Sequence, residues 1–373
     1  MFSFTKYVHY FLNRELSELY LSFSLRTFAL SMISIFVPLY LLKIGYDLIA
    51  VLTFFMIFSM IHGVISVSVA KLSMKIGIKH AITLSIPFLI LYFILLYTLP
   101  TYNWPLAILA MVGAVSNALF WFSFHVDFSK FSVKKVRGQE IGILRILTSS
   151  LNVVGPLIGA IIISFISFLY LFLFVSSLLI ISMVPLFYSK DIHVKQKISL
   201  KKVFRSSSIK DFLVFMGNGA ENAGGAVIWP IFIFIIVGTY LSLGMITAIA
   251  TSLSLITVFI VGRLCDRLKR RRILKFGSVA HSLTWFFKAF VTTGPQIVLI
   301  NSFSGIINTF KDISYTAMVY DKANKKNIVE FIVLREIGIS IGRVMFFMLM
   351  ILMVILSHGL ILAGFASLTY LLF

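Results

Sequence analysis

From residue 20 onward the chain alternates long apolar stretches with short polar gaps. About 20 predominantly apolar residues cross the hydrocarbon of a bilayer as a helix. Twelve stretches supply that length or nearly so: 20–43, 48–70, 81–99, 105–128, 141–164, 166–188, 212–237, 240–262, 276–293, 296–318, 332–356 and 358–373. Lysine and arginine collect in every second gap: at the N-terminus, near residues 71, 134, 200, 269 and 322, and at the base of the helix after 140. Positive charge is retained on the cytoplasmic face during insertion, so this rhythm predicts a chain that crosses the membrane many times with a cytoplasmic N-terminus. The turns near 165, 238, 294 and 357 are only a few residues long, which leaves no room for a folded external domain. The longest polar stretch, Ser189 to Asp211, holds six lysines, one arginine and two aspartates, and it divides the spans into two sets of six. Residues 1–19 mix Phe2, Phe4, Tyr7 and Phe11 with Lys6, Arg14, Glu15 and Glu18, the pattern of a helix lying in the interface. The division that follows is an interfacial helix at 1–19, a six-helix half at 20–188, a cytoplasmic linker at 189–211 and a second six-helix half at 212–373.

Composition agrees with a membrane protein. A soluble chain carries about 25% charged residues; this one has 12%, with 60% hydrophobic residues and a mean hydropathy of +1.02. The net charge of +20 would suggest nucleic acid in a soluble protein. Here the basic residues flank spans, where they orient helices and meet anionic headgroups, so the expected partner is the lipid bilayer and not nucleic acid. The lone cysteine, Cys265, permits neither a disulfide nor a thiolate metal cluster. The chain holds no His-Glu-x-x-His, no Gly-x-Ser-x-Gly and no phosphate-cradling Gly-rich Lys-Ser/Thr loop, so neither an enzyme, a cofactor nor a metal is expected. Abundant Phe, Ile and Lys point to an AT-rich genome and a prokaryotic plasma membrane.

The two sets of spans read as copies of one unit. Pro38 within Phe36-Val-Pro-Leu-Tyr40 matches Pro230 within Ile228-Trp-Pro-Ile-Phe232 at an offset of 192. Ala70-Lys-Leu72 matches Gly262-Arg-Leu264 at the same offset, and Glu140 with Arg145 matches Glu330 with Arg335 at 190. A parallel six-helix repeat builds transporters around an axis normal to the membrane.

The loop after the eighth span carries a signature: Gly262-Arg-Leu264-Cys-Asp266-Arg267-Leu-Lys269-Arg270-Arg271. It resembles the G-x-L-x-D-R-x-G-R-R/K motif of the major facilitator superfamily, with Lys269 replacing the second glycine. The first copy, Ala70-Lys-Leu72-Ser-Met74-Lys75-Ile-Gly77-Ile-Lys79, keeps Gly77 and Lys79 but loses the first glycine and the aspartate. Gly155-Pro156-Leu-Ile-Gly159-Ala160 is similar to the helix-kink motif of the family's exporters, whereas the fourth span lacks the arginine that drug-proton exporters carry. The resemblance covers nearly the whole chain. It implies an all-α fold of twelve transmembrane helices in two pseudo-symmetric halves, and a monomeric secondary transporter working on a small solute by alternating access. It further implies that Asp266 and Arg267 gate with Arg145 and Glu140, that Lys75 and Lys79 meet Glu330 and Glu336, and that Arg270 and Arg335 belong to the same gating set. A lipid flippase and a non-transporting receptor or assembly partner on the same fold stay open; the degraded first signature favours the last.

An ionisable group at the centre of a bilayer costs about 2.5 to 3.5 kcal/mol on insertion scales, so each is a functional candidate. Glu221 lies roughly 15 Å into the seventh span at 1.5 Å per residue. Asn218, Glu221, Asn222 and Gly225 follow i, i+3, i+4, i+7 spacing and share one helix face. Their two readings are a substrate or proton site and a buried structural network. Arg343 is similarly deep, after the close-packing spacing Gly338-Ile-Ser-Ile-Gly342, and needs either Glu221 or an anionic substrate as partner. Arg26 lies a turn or two inside the first span and either snorkels or enters the cavity, whereas Lys288 is expected to snorkel outward. Asn117, Trp121, His125, Asn301 and Asn308 add polar capacity to spans four and ten, which line the cavity in the family. His62 reads as a neutral packed group.

Overall fold

The computed structural model describes residues 14–188, 190–191, 193, 198–205, 208–267 and 269–373, and for 14, 15, 256, 259 and 262–267 the backbone alone. Twelve long helical elements follow one another: α1 (Leu16–Lys43), α2 (Leu48–Ile76), α3 (Ile78–Tyr102), α4 (Leu106–Phe131), α5 (Arg137–Phe165), α6 (Phe168–Phe187), α7 (Ile209–Val237), α8 (Tyr240–Arg267), α9 (Arg270–Lys288), α10 (Gly294–Lys325), α11 (Ile328–Met353) and α12 (Leu356–Leu372). A short helix, Leu200–Arg205, lies between α6 and α7, and no strand occurs among the described residues. By length and composition alone eight of the twelve, α1 to α7 and α11, are able to cross a membrane. Of the other four, α12 is short in apolar length, α9 and α10 carry lysines, arginines and Asp312, and α8 has several side chains beyond Leu255 outside the described residues. Several helices run past the apolar stretches that mark them in sequence. α2 continues to Ile76 and α10 to Lys325, because long basic side chains carry the helix into the headgroup layer.

The packing repeats with a shift of six helices. In the first set α1 packs on α5 and α6, α2 on α4, and α3 on α4 and α6; in the second α7 packs on α11 and α12, α8 on α10, and α9 on α10 and α12. Between the sets α2 lies along α11 and α5 along α8, two contacts related by the same shift.

Small residues decide how closely these helices approach, since association in lipid rests on packing. A Cβ on Gly244 of α8 would stand 2.7 Å from the Ala160 Cβ and 2.8 Å from the Pro156 carbonyl oxygen of α5. A Cβ on Gly63 of α2 would stand 2.9 Å from the Ser340 Cβ of α11. Within the sets, Gly155 and Gly159 press α5 onto Ser31 and Met32 of α1, and Gly342 presses α11 onto Met216 of α7. The Gly155-Pro156-Gly159 motif therefore faces two neighbours, and α5 stays helical through Pro156.

The matched prolines break regular geometry in both copies. Proline has no N–H for the carbonyl four residues earlier. In α1 the backbone before Pro38 tightens into a 3-10 turn at Ser34–Phe36; in α7 it widens into a π turn at Gly224–Ile228 before Pro230. Gly77, at φ +111°, turns the chain between α2 and α3, and a Cβ there would collide with Asp191. That carboxylate accepts from the backbone nitrogens of Lys79 at 2.8 Å and His80 at 2.9 Å, so it caps the positive end of α3.

Gly244→Ala is expected to destabilise the protein by about 1–3 kcal/mol, because backbone and Cβ atoms of α5 have no room to yield. Thermal unfolding in detergent checks this, and an unchanged Tm would mean that α5 and α8 do not cross this closely.

Candidate functional site

α7 starts at a capping box in which the Ser208 hydroxyl accepts from the Asp211 nitrogen at 3.2 Å. Its polar face, Asn218, Glu221, Asn222 and Gly225, turns to the interior, where three cavities meet at Asn222, which lines them all. The largest, about 480 Å³, lies among α7, α8, α9 and α10. Glu221, 5% exposed, forms its ionic centre. Its Oε1 accepts from Trp285 Nε1 at 3.0 Å, pairs with Lys311 Nζ and lies 2.6 Å from His281 Nδ1. Lys311 Nζ is 3.0 Å from the same His281 nitrogen, and His281 Nε2 is 3.2 Å from Ser304 Oγ. Every contact from the described residues falls on Oε1, so Oε2 has no hydrogen-bond donor among them. Lys311 also lies 4.9 Å over the Tyr370 ring, whose hydroxyl accepts from Asn218 Nδ2 at 2.6 Å. Lys288, 4% exposed, rests 4.1 Å over Trp285 and 4.8 Å over Trp229.

A second cavity, about 290 Å³, lies on the axis between the two helix sets. Glu336 of α11 pairs there with Arg335 and lies 3.4 Å from His62 Nε2, whose Nδ1 is 2.9 Å from Asn117 Nδ2. At the end of the helices near the basic gaps, contacts between α4 or α5 and α10 tie the two sets together. His125 Nδ1 meets the Tyr320 hydroxyl at 2.7 Å, Ser129 Oγ donates to Asn324 Oδ1 at 2.9 Å, and Arg145 pairs with Asp312. Arg137 donates to Asp321 at 2.6 Å, and Arg270 pairs with the other oxygen of the same carboxylate. At the opposite end aromatic rings join the sets: Phe36 and Phe168 lie 6.0 and 5.9 Å from Tyr240, and Phe55 lies 6.0 Å from Phe347. The third cavity, about 320 Å³, lies on the outer side of Asn222 and is walled by α1 to α4, α7 and α11.

The predicted site residues distribute over this system. Glu221 and Asn308 line the first cavity, Asn218 the first and second, Trp121 the second, Asn117 and Arg343 the second and third, and Arg26 the third. Several expectations need correction. Glu221 pairs with Lys311 and His281, and Arg343 makes no ion pair among the described residues. Lys288 does not snorkel, because two indole faces solvate its ammonium inside the protein. Arg26 does not snorkel either: α1 already begins before Leu16, which places Arg26 three turns deep and 4% exposed. Glu336 is held by Arg335 and His62 and is not met by Lys75 or Lys79; Lys79 Nζ lies 3.1 Å from Glu18. Arg335 and Glu336 thus belong to a cavity wall and not to a cytoplasmic loop. Arg145 pairs with Asp312, and the side chains of Gly262, Asp266 and Arg267 lie outside the described residues. Sequence reasoning missed His281 and Lys311. Lys311 precedes Lys322 by three helical turns and reads as part of the cytoplasmic basic cluster, while His281 has no charged neighbour in sequence to mark it.

No protein-family model matches the chain. Among curated proteins it is similar to the uncharacterized protein YqgE of Bacillus subtilis, 23% identical over 265 residues that cover 66% of this chain and 62% of that relative. The chain thus matches less than two thirds of that relative's length. Among solved structures, the human organic anion transporter MFSD10 superposes with a TM-score of 0.70 at 11% identity, covering 96% of this chain and 98% of that one. The Escherichia coli fucose:proton symporter FucP superposes with a TM-score of 0.68 at 12% identity, covering 95% and 96%. The chain has the major facilitator fold. In that fold its polar centre, the Glu221, His281 and Lys311 cluster, lies inside the second helix set and beside the axis.

Lys311→Met is expected to lower stability by about 3–5 kcal/mol, the cost of stranding a buried charge. Adding Glu221→Gln should recover most of that loss, and thermal unfolding of the two variants checks it. Equal Tm values for the single and double variants would mean that the pair is not buried.

Proposed function

We propose that the protein is a secondary transporter that moves a small solute by alternating access, with proton binding at Glu221 as the coupling step. The observation that carries this reading is a carboxylate buried at membrane depth whose Oε1 meets Trp285, Lys311 and His281 while Oε2 has no hydrogen-bond donor among the described residues. A proton on Oε2 neutralises the carboxylate and releases Lys311 and His281 from their shared anchor. His281 touches α10 through Ser304, and Lys311 stands on α10 next to Asp312, which holds Arg145 of α5. The proton site is therefore joined to the cytoplasmic closure by one helix.

Alternating access is supported by the chemistry of the two ends. Hydrogen bonds and ion pairs close the cytoplasmic side and aromatic contacts the outer side, so each end exchanges its contacts for a different solvent environment when the helix sets rock. The narrow crossings at Gly63 and Gly244 give that motion its pivots. The fold itself does not choose a substrate: one structural neighbour bears the name of a fucose:proton symporter and another that of an organic anion transporter.

A thermal-unfolding screen of purified protein against pooled metabolites is expected to find a ligand that adds about 2.7 kcal/mol at a hundred times its Kd. Uptake of that ligand into proteoliposomes should then accelerate under an imposed pH gradient, and Glu221→Gln should remove the acceleration. Unchanged rate and pH dependence in Glu221→Gln would sink proton coupling. Flux no greater than in protein-free liposomes would sink transport.

A further inference from the structure

We infer that the solute is a small organic anion with an apolar body, its acidic group held between Arg26 and Arg343 in the cavity on the outer side of Asn222. The inference rests on the transport reading above and names its substrate class.

Charge pairing leads to this site. Each carboxylate that lines the three cavities is already engaged: Glu221 by Lys311, Asp312 by Arg145 and Glu336 by Arg335. Three cations in the cavity walls are left without a carboxylate, namely Lys288, Arg26 and Arg343. Two indole faces account for Lys288. The two arginines line one cavity of about 320 Å³.

Neither guanidinium is satisfied there. Arg26 is 4% exposed, lies 3.9 Å over the Phe120 ring, and among its donors uses only Nη1, toward Ser85 Oγ at 3.5 Å. A guanidinium carries five N–H donors. Arg343 donates no hydrogen bond to any described residue, and the nearer carboxylate on its own helix, Glu336, is committed to Arg335 and His62. Two cations without a carboxylate, lining one cavity at membrane depth, create a potential that an anion relieves. The planar forks of arginine suit a carboxylate, sulfonate or phosphate group.

The rest of the wall sets the body of the ligand. Leu30, Val37, Phe55, Phe93 and Phe347 are apolar, and Asn117 and Asn222 add amide groups beside the hydroxyls of Tyr92 and three serines. A volume of about 320 Å³ is at the lower end of the range of about 300–1,000 Å³ for small-molecule sites. A single ring or a short chain with one acidic group fits it.

Three probes of one shape test the assignment: benzenesulfonate, the neutral benzenesulfonamide and the cation phenyltrimethylammonium. Thermal shift of the purified wild-type protein is expected with the sulfonate and not with the other two, a comparison that needs no variant. Arg343→Gln and Arg26→Gln should each weaken sulfonate binding about 10- to 100-fold, and Arg343→Lys should restore part of the loss. Binding of the sulfonamide or the ammonium as tight as that of the sulfonate, no sulfonate binding, or undiminished binding in both glutamine variants would overturn the assignment. Flux of a neutral solute into proteoliposomes, with no sulfonate binding, would overturn the anion and leave transport standing. Sulfonate binding lost in Arg343→Gln, with no flux of any solute, would uphold the site and remove transport.

Discussion

An ionised side chain inside a bilayer must find a partner, an aromatic face or a ligand, and the interior of this protein is organised by that requirement. Glu221 shows the strongest form of it. One carboxylate on α7 draws a lysine from α10, a histidine and an indole from α9, and through them a serine from α10. Three helices of the second set are thereby tied at mid-membrane by polar bonds, where lipid offers no competing donor. Among the described residues the first set has no such cluster in its equivalent place. Its buried cation, Arg26, leans on a phenylalanine ring and faces a cavity.

That asymmetry stands against a symmetric frame. Helix contacts recur with a shift of six, and the matched prolines unsettle α1 and α7 at corresponding points. The consequences differ because the neighbours differ. The turn before Pro38 is tight and apolar, while the one before Pro230 is a π turn that opens three residues after Glu221 and brings Trp229 toward Lys288. Duplication supplied the scaffold, and divergence of a few polar residues made one copy the candidate ionic centre and left the other as the wall of the apolar cavity.

The two ends of the passage are held by forces of different kinds. Asp321 bridges Arg137 of one set and Arg270 of the other, a shared carboxylate that binds one fully buried and one partly exposed guanidinium. The outer contacts of Phe36, Phe168 and Tyr240 are apolar and short in range.

The sequence by itself determined the membrane class, the twelve helical elements and the repeat, because hydrophobic length acts locally and does not depend on what packs where. It also marked Glu221, Arg343 and the asparagines of α7, since a polar residue in an apolar run is visible without neighbours. Tertiary structure alone decided the partners. Lys311 looked cytoplasmic until α10 proved to carry it to Glu221, and Lys288 looked superficial until Trp229 and Trp285 enclosed it. Arg335 and Glu336 looked like gate residues until α11 turned them toward His62. The physical reason is that depth along a helix follows from counting residues, whereas the azimuth that brings two charges together follows from how helices cross, and those crossings are set by glycines whose partners lie far away in the sequence.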